Sequence, residues 1–318
     1  MQTHRYAALP RKGSPLRLGR KIWKHRAFYL LLLPAVAYVI LFCYTPMYGL
    51  QIAFKDYKGA LGIAGSRWVG LKHFRSFFNS YNFLQLLRNT LALSLYSLAA
   101  GFPLPILLAL LLNAAPHQTY KKLIQTVTYI PHFISTVVMV GILMQVFNMR
   151  SGVYGILYSA FTGSAAPDLF ASPSAFRHMY VWSGIWQNLG WDTIIYLAAL
   201  MNVDPELNEA AQIDGANRWQ RMWHIDLPTI LPTASILLIL AAGKVMNVGF
   251  EKVYLMQNDL NISTSEVIST YVYKIGMVTG GGDFSYGTAI GLFNSVVNFI
   301  LIILVNAICK KLGGSSLW

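Results

Sequence analysis

The chain has 318 residues, 55% of them hydrophobic and only 12% charged, whereas a soluble domain carries about 25% charged residues. That balance excludes an ordinary soluble domain and makes the chain an integral membrane protein. A formal charge of +13 does not point to nucleic acid, because the basic residues are interleaved with stretches that only lipid accommodates.

Residues 1–26 form a basic tail with Arg5, Arg11, Lys12, Arg17, Arg20, Lys21, Lys24 and Arg26. Such a tail controls topology and is attracted to anionic lipid. Six segments then approach the roughly 20 mostly apolar residues that a spanning helix needs: about 27–51, 88–113, 123–147, 179–201, 229–250 and 287–309. The first is too long for a signal-peptide core and lacks a small-residue cleavage pattern, so it is expected to stay as an anchor. The second contains Gly101-Phe102-Pro103-Leu104-Pro105 at its centre, where missing backbone donors predict a kink or an unwound stretch. The third carries Pro131-His132, the histidine reading as a hydrogen-bonded structural residue. The fifth is expected to begin at Pro228, with Pro232 close behind. Cys43 and Cys309 both fall in apolar segments, so no disulfide framework exists. Gly280-Gly281-Gly282, in the loop at 251–286, reads as a flexible turn and not as a phosphate cradle. No internal repeat stands out, and residues 313–318 make a short C-terminal tail.

Basic density orients the spans. With the tail inside, Lys121, Lys122, Arg218, Arg221, Lys310 and Lys311 join it on short segments, while the opposite side has basic residues spread over longer loops. Both termini are therefore expected in the cytoplasm, together with the polar loop at 204–228.

That loop reads as two short helices. Asp204-Pro205-Glu206 is a helix start, with an Asp cap, proline at the first helical position and acid in the first turn. The helix is expected over 205–213, with Ala210 and Ala211 forming a low face that another protein can approach. Gly215 should break it, Asn217 with Gln220 should cap the next helix, and Trp219 and Trp223 should give that helix an apolar face. A plain turn needs none of this, so the loop reads as a docking surface, against the alternative of a helix pair resting on the membrane.

Here a resemblance becomes specific. Glu209-Ala210-Ala211, then Gly215, Ile225 and Leu227-Pro228 resemble the EAA loop of binding-protein-dependent ABC importer permeases, with Asp214 and Ala216 flanking the glycine. The stretch from Trp186 to Ile225, the pre-span tail and Asn247–Met256 look like the LplB/YteP group of oligosaccharide permeases. Within that group, which includes permeases for aldouronates, rhamnogalacturonan fragments and alginate, the alginate permeases are the nearest. The resemblance covers about residues 20–312 and implies an all-α integral membrane protein with six transmembrane helices. Its fold would be the type I (MetI/MalF-like) ABC importer permease fold, over residues 27–312. It also implies a multi-pass place in a bacterial cytoplasmic (inner) membrane, a second homologous permease, a cytoplasmic ABC ATPase dimer and an extracytoplasmic solute-binding protein. The Glu209–Pro228 loop would insert into the ATPase, with Gly215 setting the angle between its helices.

Charges deep in lipid mark a pathway or a pairing. Asp192 lies mid-way along the fourth segment among Trp186, Asn188 and Trp191, and Lys244 lies in the fifth with Asn247 near it. These residues suit a cavity for sugars, since aromatic faces stack on sugar rings, and Lys244 suits a uronate carboxylate. Two alternatives stay open: Lys244 snorkels outward, or Asp192 pairs with Lys244 or with another subunit. No phosphate-binding loop, metal-ligand spacing or nucleophile motif occurs. No catalytic residue, metal or cofactor is therefore expected in this chain, with ATP and Mg2+ left to the partner ATPase. The competing expectation is an ion-coupled carrier using Asp192 and Lys244; a membrane enzyme lacks any catalytic constellation.

Overall fold

The computed structural model describes residues 23–278, 282–311 and 316–317. The basic tail up to Ile22, most of the C-terminal tail, and Gly280 and Gly281 lie outside the described residues. Four helices are long and apolar enough to cross a membrane, or five if one sharply bent pair counts as a span. They are α1 (Arg26–Phe54), α2 (Phe83–Ala114), the pair α3 (Gln118–Phe133) and α4 (Thr136–Val146), then α7 (Arg218–Ala242) and α9 (Phe284–Lys311). The sixth expected segment is α5 (Pro173–Leu200), 28 residues and about 42 Å long. Arg177, His178, Gln187, Asn188 and Asp192 leave it long enough to span but comparatively polar.

α5 is the post of the bundle, packing against α2, α3 and α7. Gly190 lets it approach α3 closely, since a Cβ there would run into the Thr128 carbonyl. Thr193, fully buried, directs its hydroxyl to the carbonyls of Leu189 and Pro105 (2.6 and 3.4 Å). This contact joins α5 to α2 at the Gly101–Pro105 stretch. Of the kink or unwinding expected there, the structure shows an interruption of a single residue, Phe102, between Phe83–Gly101 and Pro103–Ala114. Phe102 keeps helical angles (φ −75°, ψ −43°) and its N–H still bonds the Leu98 carbonyl at 2.9 Å.

The breaks lie elsewhere. The third segment, expected as one span over 123–147, turns through 103° between α3 and α4. Pro131 sits in a tight 3-10 turn, Ile130–Phe133, and Ser135 caps the helix that follows. The amide of Gln187 donates to the freed Ile134 carbonyl at 2.8 Å, which supplies the partner that a broken helix needs inside a membrane. The fifth segment also differs from expectation. Pro228 does not begin it: the helix already runs from Arg218, and a wide π turn over Met222–Asp226 leads into Leu227 and Pro228. A wide turn absorbs a proline ring that would press on the carbonyl four residues earlier. α7 then ends at Ala242, eight residues before the expected boundary, and Gly243–Gly249 is non-helical before the short helix α8 (Phe250–Met256).

At the end remote from the 204–228 loop, a two-residue antiparallel ladder pairs Lys55 with Trp68 and Asp56 with Arg67. Ser285 at the start of α9 holds it, accepting from the Tyr57 N–H (2.9 Å) and donating to the Lys55 carbonyl (2.6 Å). Most of α1 carries exposed apolar side chains, and its last turns pack on α9.

Candidate functional site

Two regions bear on function, a polar loop and a cavity. The loop begins as expected, with the Asp204 carboxylate accepting from the Glu206 N–H at 3.0 Å and a helix, α6, over Pro205–Ile213. Gly215 has φ +80°, the left-handed region that glycine enters freely. The Ala216 N–H bonds the Ala211 carbonyl (2.8 Å) and the Gly215 N–H bonds that of Gln212 (3.1 Å). This is the paired closure of a Schellman cap. Asn217 and Gln220 then bond each other's backbone N–H at 2.9 and 2.8 Å, so both helix ends are satisfied within the loop.

Glu209, Ala210, Asp214, Gly215 and Pro228 are exposed, while Ala211, Ala216, Ile225 and Leu227 are half-buried. Trp219 and Trp223 are exposed too. Two anchors were not singled out from the sequence. Met222 is buried in a cluster with Leu110, Tyr196 and Ile230, and Asp226, 5% exposed, accepts from the Asn113 amide at 3.1 Å. An apolar thioether and a lone acid beside two prolines signal nothing specific in one dimension; only the fold brings Asn113 to them.

The cavity, about 950 Å3, lies between α2, α5 and the end of α7. Asn188, Trp191, Asp192, Lys244 and Asn247 all line it; Trp186 does not, and stands exposed elsewhere on α5. Lys244 and Asn247 are on the non-helical Gly243–Gly249 stretch, not on a helix. Irregular backbone at membrane depth survives where protein partners satisfy it, and α9 provides them. The Asn298 side-chain oxygen accepts from the Met246 N–H at 2.9 Å, and the Asn294 amide donates to the Asn247 side chain at 2.8 Å.

His132, at the break between α3 and α4, is hydrogen-bonded to Asn188 (3.0 Å) and stacked on Trp191, with centroids 4.4 Å apart and planes at 6°. One face of that indole is therefore taken within the protein. Among the described residues Asp192 and Lys244 form no ion pair with each other. A further lysine lines the cavity. Lys252 on α8 is 8% exposed, with its ammonium 2.9 Å from the Tyr180 carbonyl and 4.8 Å from the centre of the Tyr180 ring.

Residues 101–314 match the family described as binding-protein-dependent transport system inner membrane component. The polygalacturonan/rhamnogalacturonan transport system permease protein YteP of Bacillus subtilis (strain 168) is 44% identical over 312 residues, 98% of this chain and 96% of that protein. Protein LplB of the same organism is 47% identical over 290 residues, 91% and 90% of the two chains. Among solved structures, a chain of a bacterial ABC transporter involved in the import of the acidic polysaccharide alginate superposes with a TM-score of 0.84 at 38% identity. That match covers 93% of this chain and 99% of that one. A bacterial alginate ABC transporter in complex with an alginate pentasaccharide-bound periplasmic protein gives 0.86 at 37%, covering 95% and 100%. The bundle thus has the type I ABC permease fold, and with its helices, its loop and its cavity the chain belongs to the family of binding-protein-dependent transport system inner membrane components.

Proposed function

We propose that this chain is one of two permease halves of an ATP-driven importer that moves an acidic oligosaccharide across a bacterial inner membrane by alternating access. α5 would supply the sixth span, with both termini and the 204–228 loop in the cytoplasm. A second permease completes the pathway, a solute-binding protein delivers the cargo from outside, and an ATPase dimer that binds ATP and Mg2+ docks on the loop. Glu209, Ala210, Ala211, Asp214, Gly215 and Ala216 form the docking face, and Ile225, Leu227 and Pro228 carry its movement into α7. The observation that supports this reading best is one of continuity. α7 emerges from the loop as a single helix, and the chain leaving its far end forms the cavity wall at Lys244 and Asn247.

An acidic cargo is supported by the lysines of that wall, by the relative named for polygalacturonan and rhamnogalacturonan transport and by the structural neighbours named for alginate. Trp191, Asn188 and Asp192 are the remaining wall groups suited to a sugar chain. The competing reading, an ion-coupled carrier using Asp192 and Lys244, is disfavoured by membership in a binding-protein-dependent family. Reconstitution with the partner subunits tests the proposal. Uptake of an oligouronate is expected to require ATP and to be lost in Glu209→Lys and in Gly215→Pro, with assembly into the membrane intact. Uptake that persists without ATP, or in both variants, overturns it.

A further inference from the structure

Lys252 is the group in this cavity that its surroundings explain least. An ammonium has three N–H donors, and among the described residues only the one directed at the Tyr180 carbonyl has a hydrogen-bond acceptor. The Tyr180 ring lies beneath it. No carboxylate among the described residues lies within ion-pair distance of it, although Glu251 and Asp192 line the same cavity. At 8% exposure the side chain is not snorkelling to solvent. A buried cation without an anion is unfavourable unless the anion arrives in function.

The neighbouring backbone is shaped to leave room for it. Gly184 faces the ammonium, and a Cβ at that position would come within 3.2 Å of Nζ. Asn247 lines the same wall, and its side-chain NH2 suits a hydroxyl group while its oxygen accepts from Asn294. We infer that Lys252, backed by Tyr180 and given space by Gly184, receives the carboxylate of a uronate ring. The exposed Lys244 is a separate cation on the same wall. This rests on the reading that the cavity holds a saccharide, and goes beyond it by naming the residue that distinguishes acidic from neutral rings.

The test is equilibrium titration of the assembled importer, without its binding protein, using an oligouronate and its carboxyl-reduced counterpart. Wild type is expected to prefer the oligouronate by roughly tenfold or more, the scale of one charge-assisted hydrogen bond. Lys252→Gln retains an N–H for the Tyr180 carbonyl and removes the charge, so it is expected to abolish the preference while leaving the neutral affinity unchanged. If that variant does not assemble, Gly184→Ala, whose Cβ obliges the Lys252 ammonium to shift by a few tenths of an ångström, is expected to change the oligouronate affinity and leave the neutral one unaltered.

Preference retained in the variants overturns the assignment of Lys252 alone. Equal loss of both affinities also overturns it, by showing a purely structural role. Wild type binding both sugars alike, or neither, removes the acidic-cargo reading itself.

Discussion

At the residue scale, one ionic cluster has a pH dependence that can be worked out. The Lys72 ammonium hydrogen-bonds the Asp56 carboxylate at 2.9 Å, with the His73 ring 3.1 Å away. The hydrogen bond from Lys72 is the largest influence holding that carboxyl below its ordinary value of 3.8. A carboxyl lowered by folding contributes stability that is fully present above the unfolded value and is lost as pH falls through the folded one. Wild type is therefore expected to melt above Asp56→Asn at neutral pH and to lose that margin below about pH 4, as read from thermal midpoints at low salt. The margin should be small and salt-sensitive, because both partners are partly exposed. A margin that grows on acidification would refute the assignment.

At the scale of elements, the loop was legible and the membrane breaks were not. Pro205–Ile213, the cap at Asp204, the left-handed Gly215 and the Asn217–Gln220 box follow from neighbours in sequence, because capping is local chemistry. Proline position was an uneven guide by comparison: one break falls at Pro131–Ser135, but the other, Gly243–Gly249, has no proline, and Pro103 and Pro105 interrupt α2 only at Phe102. What decides is whether another helix brings partners for the freed backbone groups: Gln187 for the Ile134 carbonyl, Asn298 for the Met246 N–H. Those partners lie more than 50 positions away in sequence, outside any local window. Lys252 was overlooked for the same reason, since nothing local shows that a lysine after Glu251 folds over the Tyr180 ring.

The Asn298 bond gives a direct test. Asn298→Ala orphans a buried N–H and is expected to destabilise the protein by about 1–3 kcal/mol. Faster amide exchange at Met246 should accompany the lowered thermal midpoint, and unchanged exchange there would show that the bond does not hold the break.

At the scale of the whole molecule, the loop end and the cavity are mechanically joined. Met222 and Asp226 fix the first turns of α7 to α2 and α5, while α9 holds the segment beyond its far end. Inserting three glycines after Ile225 severs that connection without removing the loop. The assembled importer is then expected to hydrolyse ATP and fail to accumulate cargo. Normal accumulation would mean that the force travels by another route.

In the proposed importer the length of α7 would set the size of the stroke. A rod of 25 residues measures about 37 Å, so a tilt of about 10° at the loop carries its far tip through about 6 Å. That is on the order of the rise of one full helical turn, enough to move a lysine from one ring of a sugar chain to the next. In the proposed importer α7 would act as a lever, moved by the ATPase at the loop and acting on the cargo at the cavity.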